Sequence, residues 1–326
     1  MHPMTFLFGV AAFFLSAHAG MAAPPELELP IACQIGRNCF IQNYVEHKTP
    51  LGSRDYTCGT RSYSDHNGTD FRVPDMQAQR RGVNVLAAAD GTVARLRDGI
   101  ADVSVRERSL ESVNNLECGN GLAIRHGDGW ETQYCHMEKG SLAVRPGQSV
   151  VAGQVLGRVG LSGLTEYPHL HFTVRHDRKI VDPFAHDLAS NSCGEGKSLW
   201  SVKTRPALVY RPSEILNFSF APRSVTRADI EEGVPPLDKD PPALAAFVRA
   251  IGLKQEDVQK FTLQGPNGEI LAQHTDNPLA RDKAEQFLLV GRKRPVAGWP
   301  PGIYTAIYVV ERSGMIALQT KFSHQF

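Results

Sequence analysis

A mostly β protein in two bodies is what the pattern of this chain predicts, and three observations carry that expectation. Short runs of β-branched and aromatic residues, broken by Gly and Pro, recur from about residue 30 to 184 with no long helical period among them. A second set of such runs begins near residue 215, beyond a stretch at 188–198 rich in Ser, Asn and Gly. At 326 residues the chain is long enough to give each set its own core. The expected architecture is a compact, antiparallel β domain followed by a smaller C-terminal β-sandwich, for which an immunoglobulin-like arrangement is the candidate.

Residues 1–19 read as an export signal, because 5–16 (TFLFGVAAFFLS) is apolar yet too short to span a bilayer as a mature helix. Ala17-His18-Ala19 supplies a small-x-small cleavage site, although the flank before it holds His2 and neither Lys nor Arg. No cysteine follows at a lipidation position. The mature chain, from Gly20, is therefore expected to be exported, periplasmic or secreted, with no transmembrane segment. Residues 20–54 form a leader with cysteines, 55–187 the first β domain, 188–200 a linker and 201–326 the sandwich.

Within the first domain, 83–87 (VNVLA), the Asp90-Gly91 turn and 92–96 (TVARL) read as a hairpin. Residues 121–125 and 131–136 flank Gly127-Asp128-Gly129 as a second one, and 150–159 and 170–174 add further strands. In the C-terminal half, 215–220 and 286–290 read as strands, and 303–310 with 315–322 as a hairpin around Ser313-Gly314. A helix is expected at 242–251, where Leu244, Phe247, Val248 and Ile251 recur at i, i+3, i+4 and i+7.

Six cysteines, an even number in a chain read as exported, predict disulfides. Cys33 and Cys39 are near enough to close a small loop and form the first pair to expect. Thiolate metal ligands are disfavoured because no CxxC spacing occurs. A formal net charge of +1 gives no sign of nucleic-acid binding, and charged side chains such as Arg61 and Arg72 read as solvated.

Two histidine motifs about a hundred residues apart carry the chemistry: His66-Asn67-Gly68-Thr69-Asp70 and His169-Leu170-His171. Together they supply imidazole and carboxylate groups suited to Zn²⁺. In a strand His169 and His171 face the same way, and the Asn67-Gly68 turn lets His66 and Asp70 reach one ion. His66, Asp70 and one of the pair His169/His171 would fill a three-ligand hydrolytic site, leaving the other histidine beside it. His136, at the end of the second hairpin, is a further candidate. No histidine is directly followed by Glu, so a helix-borne HExxH site is absent. His126 reads as structural, and His47, His176, His186, His274 and His324 as surface groups. Tyr63, Tyr134 and Tyr167 are candidates for the groove wall, with packing the preferred reading for each, as it is for Trp299 and Tyr304 in the sandwich.

From about residue 55 to 183 these residues resemble the lysostaphin-type, or LytM-like, zinc metallo-endopeptidases that hydrolyse peptidoglycan. The resemblance runs through His66-x-Gly68-x-Asp70 with Phe71, then Gly82-Val83-Asn84-Val85 and Ala88-Ala89-Asp90-Gly91-Thr92-Val93. It continues through Gly119-Asn120-Gly121, His126, Tyr134 and His136, then Val144, Gly147, Ala152-Gly153-Gln154 and Gly157. Gly160-Leu161-Ser162-Gly163 and Pro168-His169-Leu170-His171-Phe172 complete it. It implies the duplicated-hybrid-motif fold for the first domain, His66, Asp70 and His171 as zinc ligands, and His136 and His169 as the catalytic pair that positions water and handles its proton. Three departures stand out: a long 97–118 connection that could wall the groove, an insertion at 76–81, and the cysteine-bearing leader.

The implied function is an exported zinc metallo-endopeptidase whose zinc-activated water attacks the peptide cross-links of bacterial peptidoglycan without a covalent intermediate. Its partners would be peptidoglycan stem peptides and, through the C-terminal domain, a cell-envelope protein. The main alternative is a non-catalytic member of the same fold that binds and activates other wall hydrolases. Such members typically lack zinc ligands, and none is missing here. A D-alanyl-D-alanine carboxypeptidase is disfavoured by its wider His-to-Asp spacing and Glu acid/base, and a protease acting on proteins is not distinguished. A leader lying across the groove up to Asp55 would make the enzyme self-inhibited.

Overall fold

Strands that bury one face must alternate apolar and polar side chains, and the first body shows this where the site forms. In the computed structural model, which describes residues 23–326, Leu170, Phe172 and Val174 are buried on one face of a strand whose other face carries His171, Thr173 and Arg175. The expected signal segment at 1–19 lies outside the described residues. No described helix is long and apolar enough to cross a membrane.

In chain order the first body comprises β1 (Phe40–Ile41), β2 (His47–Thr49), β3 (Gly52–Arg54), β4 (Thr69–Arg72), helix α1 (Met76–Arg80), β5 (Asn84–Leu86) and β6 (Gly91–Arg97). It continues with β7 (Asn120–Gly127), β8 (Trp130–Met137), β9 (Ser149–Val150), β10 (Val155–Arg158), β11 (His169–His176) and β12 (Lys179–Val181). The main sheet has the order β1-β4-β11-β8-β7-β6-β9, with β12 also on β11. Its ladders are antiparallel. One face packs on a core that includes Phe71, Tyr134, Leu170, Phe172 and Trp200, and the other forms the groove floor.

The second body comprises β13 (Glu214–Ala221), helix α2 (Arg227–Glu232), β14 (Ala243–Leu253), β15 (Val258–Gln264), β16 (Ile270–Thr275), β17 (Lys283–Lys293), β18 (Ile303–Arg312) and β19 (Met315–Gln325). A three-stranded sheet, β13-β14-β17, and a four-stranded sheet, β16-β15-β18-β19, enclose its core. Tyr304 is buried there, with Trp299 packed edge-on against it. The mostly β expectation with a C-terminal sheet body therefore holds. The 242–251 helix does not: that segment is β14, paired on both sides. Its helical spacing arose because the strand is buried on both faces, so apolar residues fall at nearly every position and the period carries no information.

The leader and the linker both differ from expectation. Leu27, Ile31, Ile41 and Tyr44 sit in the first core, and β1 pairs with β4, so residues 27–44 build the domain and do not cross the groove. The expected linker at 188–200 ends inside the same core, where Leu199 and Trp200 are buried. Trp200 packs against Phe71, Phe172 and Phe184, and Leu208 belongs there too. Polar composition marked the loop correctly, but a single large aromatic anchors its far end. Disulfides join Cys33 to Cys39, Cys58 to Cys193 and Cys118 to Cys135, and the second closes that loop onto the domain.

Two arginines expected in solvent are buried, and a third joins them between the bodies. Arg72 pairs with Glu285 at 2.6 Å and Glu231 at 3.2 Å. Arg249 pairs with Glu231 and donates to the carbonyl of Pro74. Arg61 donates to the carbonyls of Ile41, Gln42 and Arg211.

Replacing Trp200 with Ala is expected to destabilise the first body by about 3–5 kcal/mol, the usual range for deleting a large core aromatic. Urea unfolding followed by circular dichroism measures it; a loss below about 1 kcal/mol would remove Trp200 from the core.

Candidate active site

The antiparallel register of β4 and β11 places Asp70 opposite His171 and Arg72 opposite His169. Cross-strand partners lie on the same face, so the carboxylate meets the imidazoles directly. His66 enters from the loop before β4. Gly68 lets that loop lie on β11: a Cβ there would stand 2.6 Å from His171 Nε2 and 2.7 Å from the Phe172 carbonyl oxygen.

His136 reaches the site by a different device. Tyr134 is fully buried in the core, so simple alternation would send His136 into the core as well. The β7–β8 register shifts between Asn120 and Leu122, and His136 adopts φ of 62°. This bulge turns its ring into the groove beside Cys135. The Cys118–Cys135 disulfide and the hydrogen bond from His136 N to Cys118 O hold the turn in place.

Backbone and amide oxygens then determine which ring nitrogens carry protons. A carbonyl can only accept, so the 2.7 Å contact of His66 Nδ1 with the Tyr44 carbonyl puts the proton on Nδ1. His136 Nδ1 donates in the same way to Ser162 O at 2.8 Å, and His169 Nδ1 to Tyr167 O at 2.9 Å. His171 Nε2 lies 2.9 Å from Asn67 Oδ1 and so serves as the donor there. The remaining nitrogens hold lone pairs, and three of them face the Asp70 carboxylate. His66 Nε2 is 3.1 Å from Oδ2; His169 Nε2 and His171 Nδ1 are 3.3 and 2.8 Å from Oδ1. Acceptor set against acceptor is unfavourable unless a proton or metal cation lies between, and His66 Nε2 is a buried atom with no hydrogen-bond partner. This donor set fits a divalent metal.

Electrostatics agree. Burial opposes ionisation of Asp70, but the polar surroundings made by His66, His169 and His171 outweigh it and hold its carboxyl well below the usual range. Burial alone would lower the His66 pKa, but the Asp70 charge outweighs it and leaves the imidazole raised. For His136 burial wins, reinforced by His169 and His171, and its pKa falls well below the ordinary value.

His66, Asp70 and His171 have donor atoms within 4.8 Å of one another, and so do His136, His169 and His171. All five sequence-predicted site residues thus meet in one place. The 97–118 connection stands over them: Val105 and Leu110 line the cavity around His169, and the Asp102 carboxylate ties the loop down by accepting from Leu161 N and Lys139 N. Tyr63, half-exposed, and Tyr167 also line that cavity, although both were expected to pack in the core; Tyr134 does pack. His126 is held between Asp90 O and Thr132 Oγ1. His47, expected on the surface, is buried between Ser192 O and Asp182. Sequence reasoning missed Tyr44, Ser162 and Tyr167, which act through main-chain oxygens and leave no side-chain signature. It also missed Asn43, whose amide donates to Asp70 Oδ2 at 3.0 Å.

Residues 64–183 match the family described as Peptidase family M23. This segment is an M23 peptidase domain. It is 33% identical over 113 residues to peptidoglycan DD-endopeptidase ShyA of Vibrio cholerae serotype O1, covering 35% of this chain and 21% of that protein. Peptidoglycan DD-endopeptidase ShyB of the same organism is 33% identical over 132 residues, covering 39% and 25%. Cell division protein DipM of Caulobacter vibrioides is 31% identical over 124 residues, covering 36% and 17%. The match thus spans about a quarter or less of these relatives' lengths. Among solved structures, a zinc-containing peptidase from Vibrio cholerae aligns at 27% identity and a TM-score of 0.29, covering 47% of this chain and 41% of that one. The catalytic domain of lysostaphin from Staphylococcus simulans aligns at 22% identity and a TM-score of 0.28, covering 43% and 85%.

In the metal-free protein the His136 ring is expected to protonate only below the pH at which an ordinary imidazole does, because burial keeps its pKa below the usual value near 6.5. Ring-nitrogen chemical shifts in an NMR titration measure this, and a midpoint at 6.5 or above would contradict it.

Proposed function

We propose that the protein is an exported zinc metallo-endopeptidase that hydrolyses peptide cross-links of bacterial peptidoglycan. The observation that carries this reading is the ring of imidazole lone pairs turned onto the buried Asp70 carboxylate. His66 Nε2, the Asp70 carboxylate and His171 Nδ1 would hold the ion. Three imidazoles from His136, His169 and His171 are the other grouping, but that choice would leave the carboxylate and the partnerless His66 Nε2 uncompensated. When bound there, zinc polarises the scissile carbonyl and makes water acidic enough to ionise near neutral pH.

The remaining steps belong to the chain. His136, kept neutral by burial, presents Nε2 as an acceptor and takes a proton from the attacking water. His169 stands 4.6 Å away, ring centre to ring centre, with its Nδ1 proton committed to Tyr167 O, so Nε2, beside Asp70, is the nitrogen left to exchange a proton with the reacting group. A proton gained at either ring can be passed to the departing amine, and an Nε2–H can stabilise the developing oxyanion. The Cys118–Cys135 disulfide limits movement of the bulge that aims His136. The three disulfides suit an oxidising compartment outside the cytoplasm, and the names of the ShyA and ShyB relatives favour peptidoglycan as substrate. A regulator that binds wall hydrolases without cutting is the second reading; the intact donor set speaks against it.

Muropeptide analysis of peptidoglycan incubated with the chain from Gly20 onward and zinc is the direct test. Cross-linked dimers are expected to disappear with the native protein and to persist with His171→Ala or after chelation. Unchanged peptidoglycan with one zinc bound per chain would favour the regulator. His136→Ala and His169→Ala are each expected to lower kcat by about 10²–10⁴-fold, the usual contribution of a general acid or base, while metal analysis still finds zinc in the protein. Loss of zinc from His169→Ala would move that residue into the ligand set.

A further inference from the structure

Beyond the histidines the groove floor becomes basic. The next residues of β11 on the His171 face are Thr173 and Arg175, opposite Gln133 and Glu131 of β8. Glu131 in turn lies opposite Arg125 of β7. Arg175, Glu131 and Arg125 therefore form one row across three strands. Arg95 of β6 closes on the same carboxylate with two hydrogen bonds of 2.6 and 2.7 Å.

One acid, Glu131, lies among these three guanidiniums. Arg95 occupies both Glu131 oxygens, Arg175 stands 3.8 Å from one of them, and Arg125 makes no ion pair among the described residues. Arg175 has a donor bond to Gln133 Oε1 and a side chain only about a fifth exposed (21%). Burial disfavours its charge, so an anion arriving beside it would be stabilising. The outer acids, Asp128 and Asp177, sit on the hairpin turns with Arg178 and His176 nearby.

A cavity of about 960 Å³ covers the row. Arg175 lines both this cavity and the one of about 440 Å³ lined by His66, His136 and His171, so the two adjoin at its side chain. Four residues of strand separate His171 from Arg175, about 13 Å at ~3.3 Å per residue, or roughly four residues of an extended peptide.

We propose that Arg175, Arg125 and Arg95 form a subsite for a carboxylate of an acidic peptide substrate, about four residues along from the bond held at the histidine cluster. The assignment rests on the peptidase reading above. Guanidinium forks bind carboxylates with two parallel hydrogen bonds, and a primary amide in the same place supplies neither the charge nor the second acceptor. The row thus selects for a free acid over its amide while leaving the chemistry at the cut bond untouched.

The test uses the full mature chain and two synthetic cross-linked stem-peptide dimers, identical except that the carboxylates of one are primary amides in the other. Calorimetry on the zinc-free protein measures binding without turnover; kinetics on the zinc-loaded protein give KM and kcat. The native protein is expected to bind the acid about tenfold more tightly and to show a correspondingly lower KM for it, as charge-assisted hydrogen bonds imply. Arg125→Gln and Arg175→Gln should each bring that preference close to one, with kcat on the amidated dimer unchanged. Arg125 is exposed, so its variant carries the test if Arg175→Gln does not fold. Equal binding of the two dimers by the native protein, or a preference that survives both substitutions, would overturn the subsite. Preferential binding lost in the variants, with neither dimer cleaved by the native protein, would sustain the subsite and count against the peptidase reading alone.

Discussion

The pairing of β4 with β11 is the constraint on which the site depends. Its register sets Asp70 against His171 and Arg72 against His169, and it does so while Phe71, Leu170 and Phe172 are completely buried on the opposite face. Strand side chains alternate with a period of two, so a slip of one residue would put the imidazoles into the core and the rings of Phe71 and Phe172 into the groove. The apolar packing that stabilises the sheet therefore also places the carboxylate among the histidines. Trp200, brought in from beyond the polar 188–198 stretch, contacts both phenylalanines and belongs to that arrangement.

Around this pair, the main chain supplies the chemistry's orientation. Tyr44, Ser162 and Tyr167 each present a carbonyl oxygen to one imidazole Nδ1, and each contact leaves the other nitrogen free as an acceptor. The leader is part of this machinery. Tyr44 lies within it, and Asn43 next to Tyr44 donates to the Asp70 carboxylate. A segment with a shielding role would pass in front of the histidines, whereas this one supports them from behind.

The second body meets the first at a group in which the buried Arg72 and Arg249 share Glu231 and Glu285, with the more exposed Arg227 3.4 Å from Glu285 at its edge. Arg72 comes from β4 and Arg249, Glu231 and Glu285 from the C-terminal body. Such a group is weak evidence for stability, because removing these charges from water offsets most of what their attraction returns. Its consequence is geometric, since an unmatched charge here would be expensive and the two bodies are held to the docking that matches them. The Arg72 guanidinium also lies 4.0 Å from the centre of the Tyr167 ring, and the Tyr167 carbonyl holds His169. The contact between the bodies thus ends beside the residue that orients His169.

His66, Asp70, His169 and His171 were legible in the sequence as a cluster because metal-binding side chains are few in kind and their spacings, i+4 before a strand and i+2 within one, have direct geometric meaning; His136 stood out only by its place at the end of a hairpin and by the family resemblance. The mostly β architecture and the Cys33–Cys39 pair were legible for the same local reason. What tertiary structure alone decided is everything that depends on a partner distant in the chain: the bulge that rescues His136 from the core, the carbonyls that fix each tautomer, the burial of Arg61 and Arg72, and the row that joins Arg175, Glu131 and Arg125. Strand β14 shows the limit from the other direction, since a segment buried on both faces loses the period that would have identified it. Sequence by itself determined which groups were available and which neighbours shared a face. Folding determined which of them lost their water, and that loss turns four imidazoles and a carboxylate into a site.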